Sequence, residues 1–549
     1  MGCDSLTLKV NLILEAELLE GQSTSSKGLP FVFVLISGIL LSAAFPPLDL
    51  GFLAFVALVP LFYAISHSTA STSFILGYIP GLILAGTFFH PLIKIKEFPL
   101  TSYLAIVLAS GVFYGLFALL YFLVITKTSL SPVLFAPALW VTIEFLRANM
   151  SFLSNPLFLL GYSQHNFIHL IQIAAFTSVY GVSFIVVLVN ALIIDVLFFV
   201  TDRRPQNGES YFKHPAVVRA ALVLLILLIV FTFSFFELNK SLQTDKGRQI
   251  KVALVQSNLT PEERNDPKFS EAITDRYIRL SLQASLENPD LIIWPENSTL
   301  RLLTSDPETY FSVISLVQEM EIPMLLGSCA RDKTTSPEAP GVKVYNSVFL
   351  VDGKGKIVSS YNKIRLTPFW EYLPLEGSFT WPKWLVPEHG HTSPGEKANL
   401  FSTDGYNYGV VLCWEALFPD LFRRFTRQGP DFMVNQFNDS AYGWTSAPHK
   451  IHAMTIFRAV ENRVSLLRCG LTGMTSHIDP FGRENARVIN EDGNDLMVQG
   501  FLTVEVPVSG RTTFYAIYGD VFAYLCAAWT IFMLIYVLVI GAMRGSQGA

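Results

Sequence analysis

The sequence predicts a polytopic α-helical membrane domain of about eight spans that carries a large α/β domain inserted before its last span. Three observations predict it. Of the 549 residues, 51% are hydrophobic and only 15% are charged, with a mean hydropathy of +0.42. Apolar runs dominate residues 29–236 and return at 521–541, many of them near the roughly 20 residues that a bilayer-crossing helix needs. Between them, residues 238–509 alternate short β-rich runs with amphipathic ones, as in a soluble protein. The expected divisions are a cytoplasmic tail at 1–28, a membrane domain with spans one to seven at 29–237, a soluble domain at 238–510, and a final span with a short tail at 511–549.

Taken in order, the spans are expected at 29–45, 51–66, 74–89, 103–125, 132–147, 180–200, 216–236 and 521–541. The 44 Phe and eight Trp suit helices that meet lipid. Met1-Gly2-Cys3 invites a lipidation reading, but Leu6 stands where a myristoylation signal needs Ser or Thr. Arg203, Arg204, Lys213 and Arg219 between spans six and seven, with Arg544 at the C-terminus, mark the cytoplasmic side. Lys94 and Lys96 oppose that bias without reversing it, so the insertion is expected to face outward. Glu144 and Arg147, one helical turn apart, are expected to pair within the membrane and to fix helix packing.

Strands are expected in the insertion at 249–256, 290–294, 323–327, 344–351, 356–361, 408–412, 432–435, 465–469 and 501–506. Helices are expected at 270–286, 309–319, 415–426 and 447–461, an alternation that predicts an α/β sheet sandwich. The net charge of −5 lacks the basic footprint of a nucleic-acid binder. Cys3, Cys329, Cys413, Cys469 and Cys526 form no CxxC pair and no Cys/His cluster, so neither a zinc site nor a disulfide framework is indicated, and no cofactor is expected. A disulfide between Cys329 and Cys469 is open in an oxidising compartment. His449 and His452 have no carboxylate at metal spacing and read as surface or packing histidines.

Three segments can carry chemistry, each with an ordinary alternative. Leu291-Ile-Ile-Trp-Pro-Glu296 ends an apolar strand in a carboxylate, suited to general-base work if desolvated, or merely facing solvent. Lys363 follows a strand and precedes the aromatic loop Pro368-Phe-Trp-Glu-Tyr-Leu-Pro374, where a cation could meet an oxyanion. It is otherwise an ordinary strand-exit lysine. Tyr408-Gly-Val-Val-Leu-Cys413-Trp-Glu415 delivers a cysteine to a strand-to-helix turn, where a helix N-terminus lowers a thiol pKa. Its alternative is a buried structural thiol.

In the order Glu, Lys, Cys these segments resemble the nitrilase superfamily, which implies an αββα sandwich over most of 249–506. The leading strand Val252-Ala-Leu-Val-Gln-Ser-Asn258 and the segment Asn435-Gln-Phe-Asn-Asp439 share the resemblance. With Pro137-Ala-Leu-Trp140, Glu144, Arg147, Asn155-Pro156 and Leu160-Gly-Tyr-Ser-Gln164 in the membrane half, the chain more closely resembles the apolipoprotein N-acyltransferase family. That resemblance implies Glu296 as general base, Lys363 as oxyanion-stabilising cation and Cys413 as nucleophile. It also implies Glu371 as a second, Lys-orienting glutamate and Glu415 as a supporting carboxylate. Trp370 stands where the family usually has Gly, and Trp414 where it commonly has Tyr. Further departures fall near Asn265 and at Ala441 or Tyr442. All four touch substrate-contact or lid positions rather than the triad.

The resemblance implies ping-pong acyl transfer from a phospholipid, typically phosphatidylethanolamine, to the α-amino group of a diacylglyceryl-modified apolipoprotein cysteine. It further implies the bacterial inner membrane, with the catalytic domain facing the periplasm. Phe369-Trp370 and residues 379–385 are then expected either to dip into lipid as a lid or to pack between the two halves. A membrane-tethered amidase and a non-enzymatic transporter or scaffold are the alternatives.

Overall fold

The computed structural model describes residues 28–96, 98–128, 130–202, 214–244, 248–299, 301–331, 342–386, 390–508 and 512–546. The N-terminal tail with Cys3, and the cations Arg203, Arg204 and Lys213, lie outside the described residues.

All eight expected spans fall on helices. Among the described residues, five helices are long and apolar enough to cross a membrane by length and composition: Ala70–Lys94, Leu100–Lys127, Val179–Thr201, Pro215–Asn239 and Val521–Ile540. Gly28–Ala43 and Gly51–Ser66 are shorter, as is Ala136–Ala148. Ile168–Thr177 is a further short apolar stretch with no counterpart among the expected spans. Residues 51–66 are broken at Leu58, just before Pro60, which has no N–H to give. The Leu58 N–H donates instead to Asn190 Oδ1 at 2.8 Å, and the Asn190 amide returns to the carbonyls of Ala54 and Val186. Helices Ala70–Phe89 and Leu100–Lys127 pack through small residues; a Cβ on Gly77 would lie 2.4 Å from that of Ala118. Such contact is what binds helices where lipid is as apolar as Leu.

Glu144 and Arg147 do not pair with each other. Glu144 Oε1 accepts the Leu160 N–H at 2.6 Å, while Arg147 Nη2 donates to the Leu157 carbonyl at 2.9 Å and stacks 3.9 Å over Phe158. Each fastens the irregular segment at 157–160, whose backbone groups have no helix to satisfy them. Asp195 and the half-buried Arg219 form an ion pair among the helices instead, at 2.8 Å and 3.0 Å, with the Ser131 hydroxyl also donating to Asp195.

The insertion folds into two six-stranded sheets. β1 (Gln249–Gln256), β2 (Leu291–Ile293), β3 (Met324–Arg331), β4 (Val344–Val351), β5 (Ile357–Asn362) and β12 (Gly500–Pro507) make one, in the order β12-β1-β2-β3-β4-β5. β6 (Phe401–Thr403), β7 (Tyr406–Leu412), β8 (Phe432–Phe437), β9 (Ser465–Gly470), β10 (Ser476–Ile478) and β11 (Glu484–Arg487) make the other, in the order β11-β10-β9-β8-β7-β6. Helices Ser270–Ser285 and Pro307–Met320 cover the first sheet, and Pro419–Thr426 and Ala447–Asn462 the second. The expected helix at 415–426 is split: a 3-10 turn at Cys413–Leu417 is followed by a helix that restarts at Pro419. Proline cannot continue a helix but suits its first turn.

The sheets face each other directly. Cys469 on β9, fully buried, donates its S–H to the carbonyls of Val255 and Ile293 on the opposite sheet. Cys329 donates to Asn297 Oδ1 at 3.3 Å, and both thiols are free, so no disulfide joins them.

Helix Ala447–Asn462 lies against the membrane half. Glu461 Oε1 accepts from Arg458 Nη2 at 2.9 Å, from the Ser178 hydroxyl at 2.6 Å and from the Val179 N–H at 3.1 Å. Arg458 also donates to the Tyr162 hydroxyl at 3.2 Å, and Lys450 donates to the carbonyls of Thr87 and Phe88 at the end of a spanning helix. Arg458 and Glu461 are fully buried. Replacing Arg458 with Met strands a buried carboxylate, so R458M should lose about 3–5 kcal/mol of stability. Thermal unfolding in detergent micelles measures this, and an unchanged melting temperature refutes it.

Candidate active site

Three strands deliver the expected triad to one place. β2 is wholly apolar and buried. Just past it, the Trp294 indole donates to the Ser281 hydroxyl at 2.9 Å and stacks on Tyr277 at 4.5 Å, fixing the turn to Glu296. Gly327 on β3 lets that turn cross, since a Cβ there would lie 2.5 Å from the Pro295 carbonyl oxygen. Lys363 follows β5, its N–H donating to the Asn346 carbonyl on β4 at 2.8 Å. β7 brings Cys413 to a bend with φ +49°, the left-handed region that exposes a nucleophile and strains any non-glycine residue.

Lys363 is buried to 1% exposure between two carboxyl groups. Its Nζ lies 3.3 Å from Glu296 Oε1 and 2.9 Å from Glu371. Asn346, absent from the sequence reasoning, donates from one Nδ2 to Glu296 Oε1 at 2.7 Å and to Glu371 Oε1 at 3.1 Å. Glu296 Oε2 accepts the Asn438 N–H at 2.9 Å, and Glu371 Oε2 the Thr367 N–H at 2.7 Å. Burial alone would lower the Lys363 ammonium, but Glu296, Cys413 and Glu371 outweigh it and hold the charge well above the ordinary lysine value. Burial raises Glu371, yet Lys363 and the Thr367 N–H bring it below the usual carboxylate value.

Cys413 runs against the expectation of an acidic thiol. Burial and the charge of Glu296, then that of Glu371, push it well above the ordinary cysteine value, against the pull of Lys363. The helical turn it opens spans only five residues of 3-10 geometry, too little dipole to reverse that balance. The resting sulfur is therefore a thiol that needs a base.

Glu415 is a tie. Fully buried, it accepts the Leu412 N–H at 2.8 Å, the Ile364 N–H at 2.7 Å, the Arg365 N–H at 2.9 Å and the Tyr361 hydroxyl at 2.8 Å. It thus joins the Cys413 bend to the Lys363 loop. Of the departures, Trp414 packs half-buried against Phe418 at 5.2 Å, and Trp370 is exposed. Trp384, Phe379 and Leu375 are exposed as well, while the carbonyls of Trp384 and Leu385 accept the hydroxyls of Thr101 and Ser102 at the start of a spanning helix. The loop both presents aromatic residues and is tied to the membrane half.

His449 and His452 are not idle surface groups. His449 Nε2 lies 3.0 Å from Asp495 and His452 Nε2 3.4 Å from Glu484, with Arg487 bonded to both carboxylates. Among the described residues, no three His, Cys, Asp or Glu side chains converge to hold a metal ion.

This fold, with a carbon-nitrogen hydrolase family model matching residues 251–504, makes the insertion a carbon-nitrogen hydrolase domain on a helical membrane body. The family model for the apolipoprotein N-acyltransferase N-terminal domain matches residues 37–192. The chain is 32% identical over 508 residues to an apolipoprotein N-acyltransferase of Geobacter metallireducens, covering 91% of this chain and 93% of that protein. A namesake from Chlorobaculum tepidum is 28% identical over 525 residues, covering 90% and 94%. Among solved structures, Saccharomyces cerevisiae Nit3 aligns with 19% identity and a TM-score of 0.36, covering 48% of this chain and 91% of that one. The chain belongs to the apolipoprotein N-acyltransferase family.

Converting Glu415 to Gln keeps its size but replaces one acceptor oxygen with a donor that faces N–H groups. E415Q should cost about 1–3 kcal/mol and slow Cys413 reactions about tenfold or more. Thermal unfolding and iodoacetamide labelling of the Cys413 peptide measure the two effects; wild-type values in both would show that Glu415 ties nothing.

Proposed function

We propose that this chain transfers a fatty acyl group from a membrane phospholipid, through a thioester on Cys413, to the α-amino group of a diacylglyceryl-modified lipoprotein cysteine. The observation that supports it is the buried Glu296–Lys363–Glu371 cluster acting electrostatically on a cysteine at a left-handed bend. Glu296 takes the thiol proton as Cys413 Sγ bonds to the ester carbonyl carbon, and Lys363 meets the oxyanion. The C–O bond breaks, the alcohol oxygen takes the proton from Glu296, and lysophospholipid leaves. The amine then attacks the thioester carbon, the C–S bond breaks, and sulfur recovers a proton through Glu296. Ester, thioester and amide interconvert without redox change, so no cofactor is consumed.

Phosphatidylethanolamine is the donor we favour, esterified at the first glycerol position. We place the enzyme in the bacterial inner membrane with residues 238–510 on the periplasmic side, the orientation that Arg219 and Arg544 support by the positive-inside rule. Both substrates carry acyl chains worth about 0.8 kcal/mol per buried methylene, so a site tied to spanning helices suits them. A tethered amidase would keep Glu296, Lys363 and Cys413 but would need no membrane body; similarity to acyltransferases across 91% of the chain favours transfer.

Mixed with phosphatidylethanolamine vesicles, the purified protein should gain one acyl mass on the Cys413 peptide, and Cys413→Ala should gain none. Release of ammonia from small amides with no adduct would establish the amidase. Because the raised thiol gives its proton to a neighbouring carboxylate and not to solvent, the acylation rate should stay level as pH rises from neutral into the alkaline range; a rate that climbs about tenfold per pH unit would exclude the proton transfer to Glu296.

A further inference from the structure

Behind the nucleophile, one row of the second sheet carries buried polar side chains on the face away from the first sheet, while the adjacent Gln436 and Cys469 point toward that sheet. Val411, Asn435, Arg468 and Ser476 are register neighbours across β7, β8, β9 and β10. Asn435 and Arg468 are fully buried. A guanidinium in that position carries a desolvation penalty of several kcal/mol unless bonds and charges compensate it, so its presence needs a reason. Arg468 Nη1 donates to Asn435 Oδ1 at 3.1 Å, and the guanidinium stacks 4.4 Å over the Phe437 ring.

Fixing Oδ1 fixes the amide. Asn435 Nδ2 then donates to the Val411 carbonyl at 3.2 Å and, more loosely, to the Cys413 carbonyl at 3.4 Å. These two carbonyls flank the bend where Cys413 holds φ +49°. A non-glycine residue in that region is strained and persists only when its surroundings over-determine it. Glu415 grips the bend from the Lys363 side through the Leu412 N–H, and Asn435 grips it from the sheet side. Burial lowers Arg468 to about 10, against the charges of Asp439, Cys413 and Glu484, so it stays protonated near neutrality. The attraction acts both ways, so Arg468 favours a charged sulfur in return, though less strongly than Lys363 does.

We propose that Arg468 is a positioning residue for the nucleophile: it locks the Asn435 amide that holds the Cys413 bend, and its fixed positive charge acts on the sulfur. This rests on the thioester reading for the role of Cys413. The sulfur also feels Glu296, Lys363 and Glu371, and its charge acts on Tyr442, so the contribution of Arg468 must be read against a constant set of neighbours.

The test uses full-length protein in detergent micelles and follows iodoacetamide alkylation of the Cys413 peptide by mass from about pH 6 to about pH 11. Arg468→Met removes both bond and charge; the alkylation midpoint should rise and the plateau rate fall about tenfold. Arg468→Gln keeps an N–H donor for Asn435 without the charge, so the plateau should return while the midpoint stays raised. A merely structural arginine would change yield or melting temperature and leave the midpoint in place. Wild-type profiles in both variants would overturn the proposal. If R468M does not fold, R468Q decides alone: an unshifted midpoint overturns it. Acylation by phosphatidylethanolamine vesicles is measured in parallel on the wild type. Failure there sinks the transferase reading and leaves the alkylation comparison intact.

Discussion

One buried ammonium governs the site. Lys363 is shared by Glu296 and Glu371, in direct contact with both. Taking charges out of water is tolerated only when they compensate one another, so the positions of both glutamates follow from the lysine between them. The same constraint shapes the chemistry. Moving a proton from Cys413 to Glu296 shifts a negative charge from oxygen to sulfur without changing the total buried charge. A site this enclosed permits that internal transfer far more readily than it permits loss of a proton to solvent. The raised thiol pKa and the need for a neighbouring base are thus two statements of one fact.

Holding three side chains from separate strands to hydrogen-bond precision demands more than a packed core. Gln436 on β8 reaches across the sandwich to the Trp294 carbonyl at 2.7 Å, which ties the Cys-bearing sheet to the strand that carries Glu296. Glu415 ties the Lys363 loop to the Cys413 bend, and Asn346 ties both glutamates to β4. Each is a short polar bridge where an apolar contact could slide. Such bridges suit a catalytic constellation, because errors near 1 Å lower rates steeply.

The sequence made the larger pattern readable and left these bridges hidden. Long apolar strands such as β1, β4 and β7 announce themselves because burial on both faces requires continuous apolar runs. β6, β10 and β11 escaped notice because they are only three or four residues long, and Glu484–Arg487 is polar at every position but Ala486. Glu296, Lys363 and Cys413 were legible because each ends a strand in a recognisable local motif. Asn346 and Arg468 were not, since their work lies in partners more than twenty residues away. The split at Pro419 was available from proline chemistry alone. Arg458 and Glu461 resemble any exposed i,i+3 pair on paper; only the fold shows that the membrane half closes over them.

The closure between halves matters for the outcome of the reaction. A thioester within reach of bulk water is consumed by hydrolysis, whereas one reached only through lipid waits for an amine. The domain is therefore seated on the membrane body by charges that cannot be left alone: Glu461 against Ser178 and Val179, Arg458 against Tyr162, and Lys450 against the carbonyls of Thr87 and Phe88. A sliding apolar interface would satisfy burial, but it would let the gap between sheet and helices breathe. Buried charges fix that gap, since parting them strands an ion in a place with no water to receive it. Under the proposed reaction, this clamp keeps a thioester on Cys413 away from bulk water, so that transfer to an amine outpaces hydrolysis.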